Sequence, residues 1–173
     1  KEIACQIDDG ETTWILVSTI FVLGMCPALA FFEAGMLRSK STLSIISQIF
    51  IGNVILSVMW VLFGYSLAFG PSIGGLIGGP SHFFWLGLSF KECGARAVNI
   101  PSALYALFQM MFATITPLIM TGAYAERLKW SAFLVFTITW EILVYYPLVH
   151  WIWGGGFLQR IGLLDFAGGI VIH

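Results

Sequence analysis

Four long apolar runs dominate the chain, at about 14–32, 43–69, 101–124 and 131–149, and a fifth opens at 166. A helix that crosses a membrane uses about 20 mostly apolar residues. The pattern therefore predicts an all-α polytopic membrane protein with four complete spans and the start of a fifth. Short polar corners close the first and third runs: Arg38, Ser39 and Lys40 after one, Glu126, Arg127 and Lys129 after the other. Residues 70–99, rich in Gly, Pro and Phe, are too irregular for a span. They predict an ordered loop carrying a short interfacial helix. The fifth run stops at His173 after about two helical turns, so the chain reads as a fragment of a longer protein.

Composition narrows the class. Hydrophobic residues make up 58% of the 173 positions and charged residues 10%, against about 25% charged in an average soluble domain. That excludes an ordinary soluble fold and a disordered chain. A net charge of −1 gives no basic face for nucleic acid. Nineteen glycines and a 16% aromatic share suit helices packed in lipid. By the positive-inside rule the two compact basic corners lie inside. The N-terminus, with Glu2, Asp8, Asp9 and Glu11, and the long loop then lie outside. Cys5 and Cys93 both fall on that outer side, where they can pair or remain two free thiols; no spacing rule decides between these.

The candidate chemistry follows from depth. At about 1.5 Å per residue, Phe108 lies roughly 12 Å and Phe112 roughly 18 Å below the outer end of span three. They are four residues apart and share one face. His173 lies roughly 12 Å below the outer end of span five, and Trp153 sits just above, at the mouth. Packing is the commoner role for such a phenylalanine pair, but ionisable groups at membrane depth usually line a pathway. Asp165 stands where a carboxylate caps a helix start. It also puts a negative charge near the Trp153 ring, where a small cation gains from both. No second ligand stands at metal-binding spacing beside His173. A proton path, a water or gas pore and a small-amine transporter all fit this much.

Four motifs extend the reading. Residues 108–117 (FQMMFATITP) and 121–127 (TGAYAER), the run 150–156 (HWIWGGG), the run 164–173 (LDFAGGIVIH) and the corner 35–40 (GMLRSK) resemble signatures of the ammonium transporter family, the Amt/Mep/Rh superfamily. The resemblance covers nearly the whole chain. It implies an eleven-helix fold of two inverted five-helix repeats with the pathway between them, and this chain as the first repeat up to the start of helix five. It implies a homotrimer in lipid, no cofactor and no enzymatic step. It implies that Trp153 and Phe108 wall an outer ammonium site, that Phe112 is a gate, that Asp165 is an acid ordering the site, and that His173 is the first of two pore histidines. Ammonium is then deprotonated near the gate and ammonia passes along an apolar lumen. A sensor domain coupled to a signalling module is the alternative, and a Rh-type gas channel and a helical scaffold are the more distant ones.

Two carboxylates stand apart. Glu33 occupies a position where many members of that family have tyrosine. Its simpler role is an ion pair with a basic corner residue; its functional role is an acid at the inner exit. Glu141 lies about ten residues from either end of span four, roughly 15 Å from each interface. Facing lipid as an ion would cost it at least about 2.5–3.5 kcal/mol. It is therefore expected to face protein, either protonated and donating to a carbonyl or hydroxyl, or ionised against a residue of the second repeat or a neighbouring subunit.

Overall fold

Asp8 starts the first helix: its carboxylate accepts the Glu11 N–H at 2.7 Å, satisfying one of the orphan amides of a helix N-terminus. The computed structural model describes residues 5–173, so Glu2 of the acidic start lies outside the described residues. Helix α1 (Asp9–Met36) has 28 residues, about 42 Å at the α-helical rise, and exceeds an apolar layer about 30 Å thick. Its apolar face is open: Trp14 is 70% and Phe21 72% exposed, as expected for a surface that meets lipid. A 3-10 turn (Ser39–Ser41) rounds the corner into α2 (Thr42–Met59).

The second span continues through a π-helical turn (Trp60–Gly64) into α3 (Tyr65–Phe69). A second π turn (Glu141–Tyr145) joins α6 (Trp130–Trp140) to α7 (Tyr146–Ile152) in the fourth span, after α4 (Ser102–Ile119) and α5 (Thr121–Tyr124) have formed the third. The two π turns meet at Tyr146. Its ring lies 5.9 Å from Trp60 and 6.1 Å from Phe63. A Cβ at Gly64 would stand 2.6 Å from the Tyr146 hydroxyl, so only glycine lets the ring in. Trp60 completes the joint by donating to the Ala106 carbonyl at 3.0 Å. The extra residue of each π turn thus lets three spans close around one buried aromatic cluster that includes Trp60, Tyr145, Tyr146 and Val149. A second core, around Ile49, Leu56, Leu118 and Phe133, fills the half nearer the polar corners.

At the other end, residues 70–99 form two small hairpins and a 3-10 segment in place of the expected interfacial helix. Strands β1 (Ser72–Ile73) and β2 (Ile77–Gly78) pair antiparallel, and so do β3 (Cys93–Gly94) and β4 (Ala97–Pro101). The 3-10 segment (Pro80–Trp85) is kinked, with Phe84 at φ +56°; the glycines and prolines of this stretch are poor helix formers. Cys5 and Cys93 form a disulfide with 5.5 Å between Cα atoms. The segment after Cys5 runs along β4, with Asp8 N–H donating to Asn99 C=O at 2.9 Å.

Among the described residues, four helical stretches are long and apolar enough to cross a membrane. Residues 166–173 take up turns, with no regular helix. Gly168 has φ +85°, which curls the chain back before consecutive α-helical bonds can form. Ile172 N–H and His173 N–H both turn to the Gly168 carbonyl, at 2.8 and 3.1 Å.

Candidate functional site

The end of α7 is shaped by three glycines. A Cβ at Gly154 would fall 2.1 Å from the Ala68 carbonyl oxygen, and one at Gly156 would fall 2.5 Å from Trp151 Cα. The chain can therefore leave the helix tight against α3. His150, fully buried, secures the same junction. Its Nδ1 lies 2.9 Å from the Ala68 carbonyl oxygen and its Nε2 2.8 Å from Ser72 Oγ. The carbonyl can only accept, so Nδ1 carries the proton, and in the neutral ring Nε2 accepts from the serine. This arrangement fixes Trp153, the residue that caps α7. Its indole N–H donates to the backbone carbonyl of Asp165 at 2.8 Å.

Asp165 is held from the other side. Its Oδ1 accepts the N–H groups of Gly168 and Gly169 at 2.8 and 2.9 Å, and its Oδ2 accepts those of Ile170 and Val171 at 3.0 and 3.1 Å. Partial burial pushes this carboxyl up, the four N–H bonds pull it down further, and it ends below the usual carboxylate range. A helix cap was expected here; the carboxylate caps a tight turn.

These elements line an open cavity of about 780 Å³, walled among others by Arg96, Tyr105, Phe108, Phe112, Trp153 and Asp165. On α4 the Phe108 and Phe112 rings meet edge to face with centroids 5.0 Å apart. Four of the residues singled out in the sequence therefore share one cavity. His173 does not line it and is exposed. The Asp165 side chain is engaged by amides, and Arg96 brings a positive charge to the same wall.

Arg96 is the residue that sequence reasoning missed. It sits with Ala95 in the two-residue turn between β3 and β4, where Gly94 pairs with Ala97. Its guanidinium donates to the backbone carbonyls of Trp153 and Gly154. One of two scattered cations, Lys91 and Arg96, in a Gly-rich loop gives no sequence signal of such a reach. His150 stood inside a recognised motif with no role of its own, and its role is to lock α7.

The other carboxylates lie elsewhere. Glu33 is buried on α1 and accepts from Thr121 Oγ1, so its expected ion pair with a basic corner residue does not form. Arg38 stands beyond the end of α1 in extended backbone and grips Glu126 instead, with Nε 3.0 Å from both carboxylate oxygens and Nη2 2.7 Å from Oε2. The hydrogen bond from Arg38 is the chief cause that draws the Glu126 carboxyl down to about 2. Glu141 faces protein and is 0% exposed. Neither of its oxygens has a hydrogen-bond partner among the described residues, contrary to the expected bond to a carbonyl or hydroxyl.

The model of the Ammonium Transporter Family matches residues 13–173. The chain is 64% identical over 167 residues to Ammonium transporter 1 of Dictyostelium discoideum, covering 96% of this chain and 36% of that protein. It is 44% identical over 164 residues to an ammonium transporter of Bacillus subtilis, covering 95% of this chain and 40% of the relative. The crystal structure of Candida albicans Mep2 superposes with a TM-score of 0.84 at 32% identity, over 97% of this chain and 37% of that one. A structure named Sensor Amt Protein superposes with a TM-score of 0.75 at 29% identity, over 94% and 42%. The chain thus spans well under half the length of these relatives.

Proposed function

This chain belongs to the ammonium transporter family, and from that premise we propose that it forms the first repeat of a membrane transporter for ammonium. The observation that carries the reading is the convergence of Trp153, Phe108, Phe112 and Asp165 on one cavity at the loop end of the spans. In this reading the loop end faces outward and the basic corners face inward. Ammonium enters as the cation and meets the indole face of Trp153, a contact worth roughly 0.5–2 kcal/mol depending on how much water is excluded. The Phe108–Phe112 pair closes the way below. Moving an ionised amine past it into an apolar lumen is costly, as for a buried lysine, so ammonium gives up its proton near the gate and passes as ammonia. The released proton follows separately, beside the histidines. Asp165, its lone pairs filled by four N–H bonds, anchors the Trp153 wall and stays ionised; it is a positioning residue and does not take the proton.

His173 lines the lower path once the second repeat is in place, with an imidazole from that repeat as its partner. Glu33, at the corner end of α1, acts at the inner exit, where ammonia is rehydrated and protonated. Three such subunits assemble as a homotrimer in lipid, each with its own pathway. Likeness to the Sensor Amt Protein favours a second reading, an ammonium sensor coupled to a signalling module. Current recorded across a bilayer containing the full-length protein separates the two. A transporter gives a saturating current with ammonium and none with potassium. Binding of ammonium without any flux would leave the sensor.

A further inference from the structure

Arg96 brings a cation into a cavity that, on the reading above, recruits a cation. Its contacts show what it does there. The guanidinium donates to two backbone oxygens, those of Trp153 and Gly154. The first of these carbonyls belongs to the residue that caps α7 and the second to the residue after it; carbonyls at a helix C-terminus have no intrahelical donor and carry its partial negative charge. They are the natural acceptors for a small ion with several N–H donors. Among the described residues no carboxylate forms an ion pair with Arg96; the salt bridge found there is Arg38 with Glu126. Asp165 lines the same cavity but spends its oxygens on amides. The guanidinium is thus satisfied by the carbonyls a free ammonium ion would seek, with its charge left unneutralised.

The hairpin delivers it there deliberately. Arg96 occupies the tip of a two-residue turn, and the base of that hairpin is tied by the Cys5–Cys93 disulfide. Asp8 of the N-terminal segment also bonds along β4. The tip is placed by backbone pairing and a covalent bond.

We infer that Arg96 is a tethered competitor at the outer mouth: its guanidinium occupies the Trp153 and Gly154 carbonyls that follow α7 in place of ammonium and so sets the ammonium affinity of the site. This rests on the ammonium reading of the cavity. A plain clamp for Trp153 predicts the opposite sign, since removing a clamp loosens the site and weakens binding.

The test uses the full-length protein in proteoliposomes, with half-saturation by ammonium read from evoked current and, independently, from quenching of tryptophan fluorescence. Arg96→Ala is expected to lower the half-saturation roughly two- to fivefold, the range of one solvent-exposed charge interaction. Free guanidinium ion added to Arg96→Ala should raise it back towards the wild-type value, and should leave the wild type unmoved. Should Arg96→Ala fail to fold, Arg96→Lys replaces it: a compact head cannot hold both carbonyls as the planar fork does, so half-saturation falls by less and guanidinium restores it. An unchanged or raised half-saturation in the variant, or one that guanidinium lowers, overturns the inference and leaves Arg96 as a clamp. If the wild type shows neither current nor quenching with ammonium, the ammonium reading itself fails, and the inference falls with it.

Discussion

At the loop end, the carboxylate of Asp165 accepts four backbone N–H groups. In the middle of the fourth span, Glu141 is fully enclosed and accepts none among the described residues. The hydroxyls of Tyr145 and Tyr146 beside it are also without partners. Burial and acidity alone would rank Glu141 above Asp165 as a functional residue. The surroundings reverse that order. Asp165 holds together the turn and, through its carbonyl, the Trp153 indole. Glu141 sits where two π turns close on each other and fills space among aromatic rings. What marks a site here is the number of elements a side chain ties together.

Breaking the first member of this pair should have the largest effect. Asp165→Ala strands four N–H groups, and a hydrogen bond to a charged acceptor contributes about 1.5–3 kcal/mol. Losing the net worth of even one is enough for about a tenfold change in an equilibrium. Ammonium uptake by the full-length variant should fall at least tenfold, and Asp165→Asn, which keeps one acceptor oxygen, should fall less. Equal uptake by Asp165→Ala and wild type would remove the anchoring role.

The second member should respond with the opposite sign. A buried polar group without a partner costs about 1–3 kcal/mol, so Glu141→Leu should leave the protein as stable or more stable by that order, with transport nearly intact. Glu141→Gln should transport like the wild type. Thermal unfolding in detergent and uptake in vesicles measure both. A clear drop in stability for Glu141→Leu, or loss of transport in Glu141→Gln with the oligomer intact, would show that Glu141 has a partner in the assembled protein.

Glu33 lies between these extremes, buried with one hydroxyl donor. Glu33→Gln keeps an acceptor for Thr121, so its stability should change by about 1 kcal/mol or less, while the proposed exit role requires slower transport. Normal flux and ion selectivity in that variant would confine Glu33 to structure.

The smallest effect belongs to the exposed corner. The Glu126 carboxyl is drawn down to about 2 when folded and returns to about 4.3 in the unfolded chain. Its depressed folded value means that its contribution is fully present above the unfolded value and is lost as pH falls through the folded one. The stability difference between wild type and Glu126→Gln should therefore be small, constant above about pH 5, and lost as pH falls through about 2. A difference that grows on acidification would have the wrong sign for the Arg38 pair.

The runs of apolar residues made the four spans legible, because lipid demands long uninterrupted helices whatever else the protein does. Trp153, Phe108, Phe112 and Asp165 were legible as a group through their motifs and their depth arithmetic. Arg96 was not, because its partners Trp153 and Gly154 lie 57 and 58 residues further along the chain, a contact that no period encodes. The turn at 166–173 escaped for a related reason: Asp165 followed by small residues suits a helix cap and a curled anion nest equally, and the φ of Gly168 decides. Glu33 was assigned to the wrong partner because the sequence places Arg38 nearby along the chain, whereas α1 ends before it and α5 arrives from elsewhere.

On the proposed function, the Trp153 cavity recruits ammonium as a cation. Ammonium-evoked current in bilayers holding the full-length protein tests it most directly, with Trp153→Leu compared against the wild type. A loss of roughly 0.5–2 kcal/mol of cation–ring attraction should raise the half-saturating concentration about two- to thirtyfold and weaken discrimination against potassium. Unchanged half-saturation together with unchanged discrimination would contradict the account.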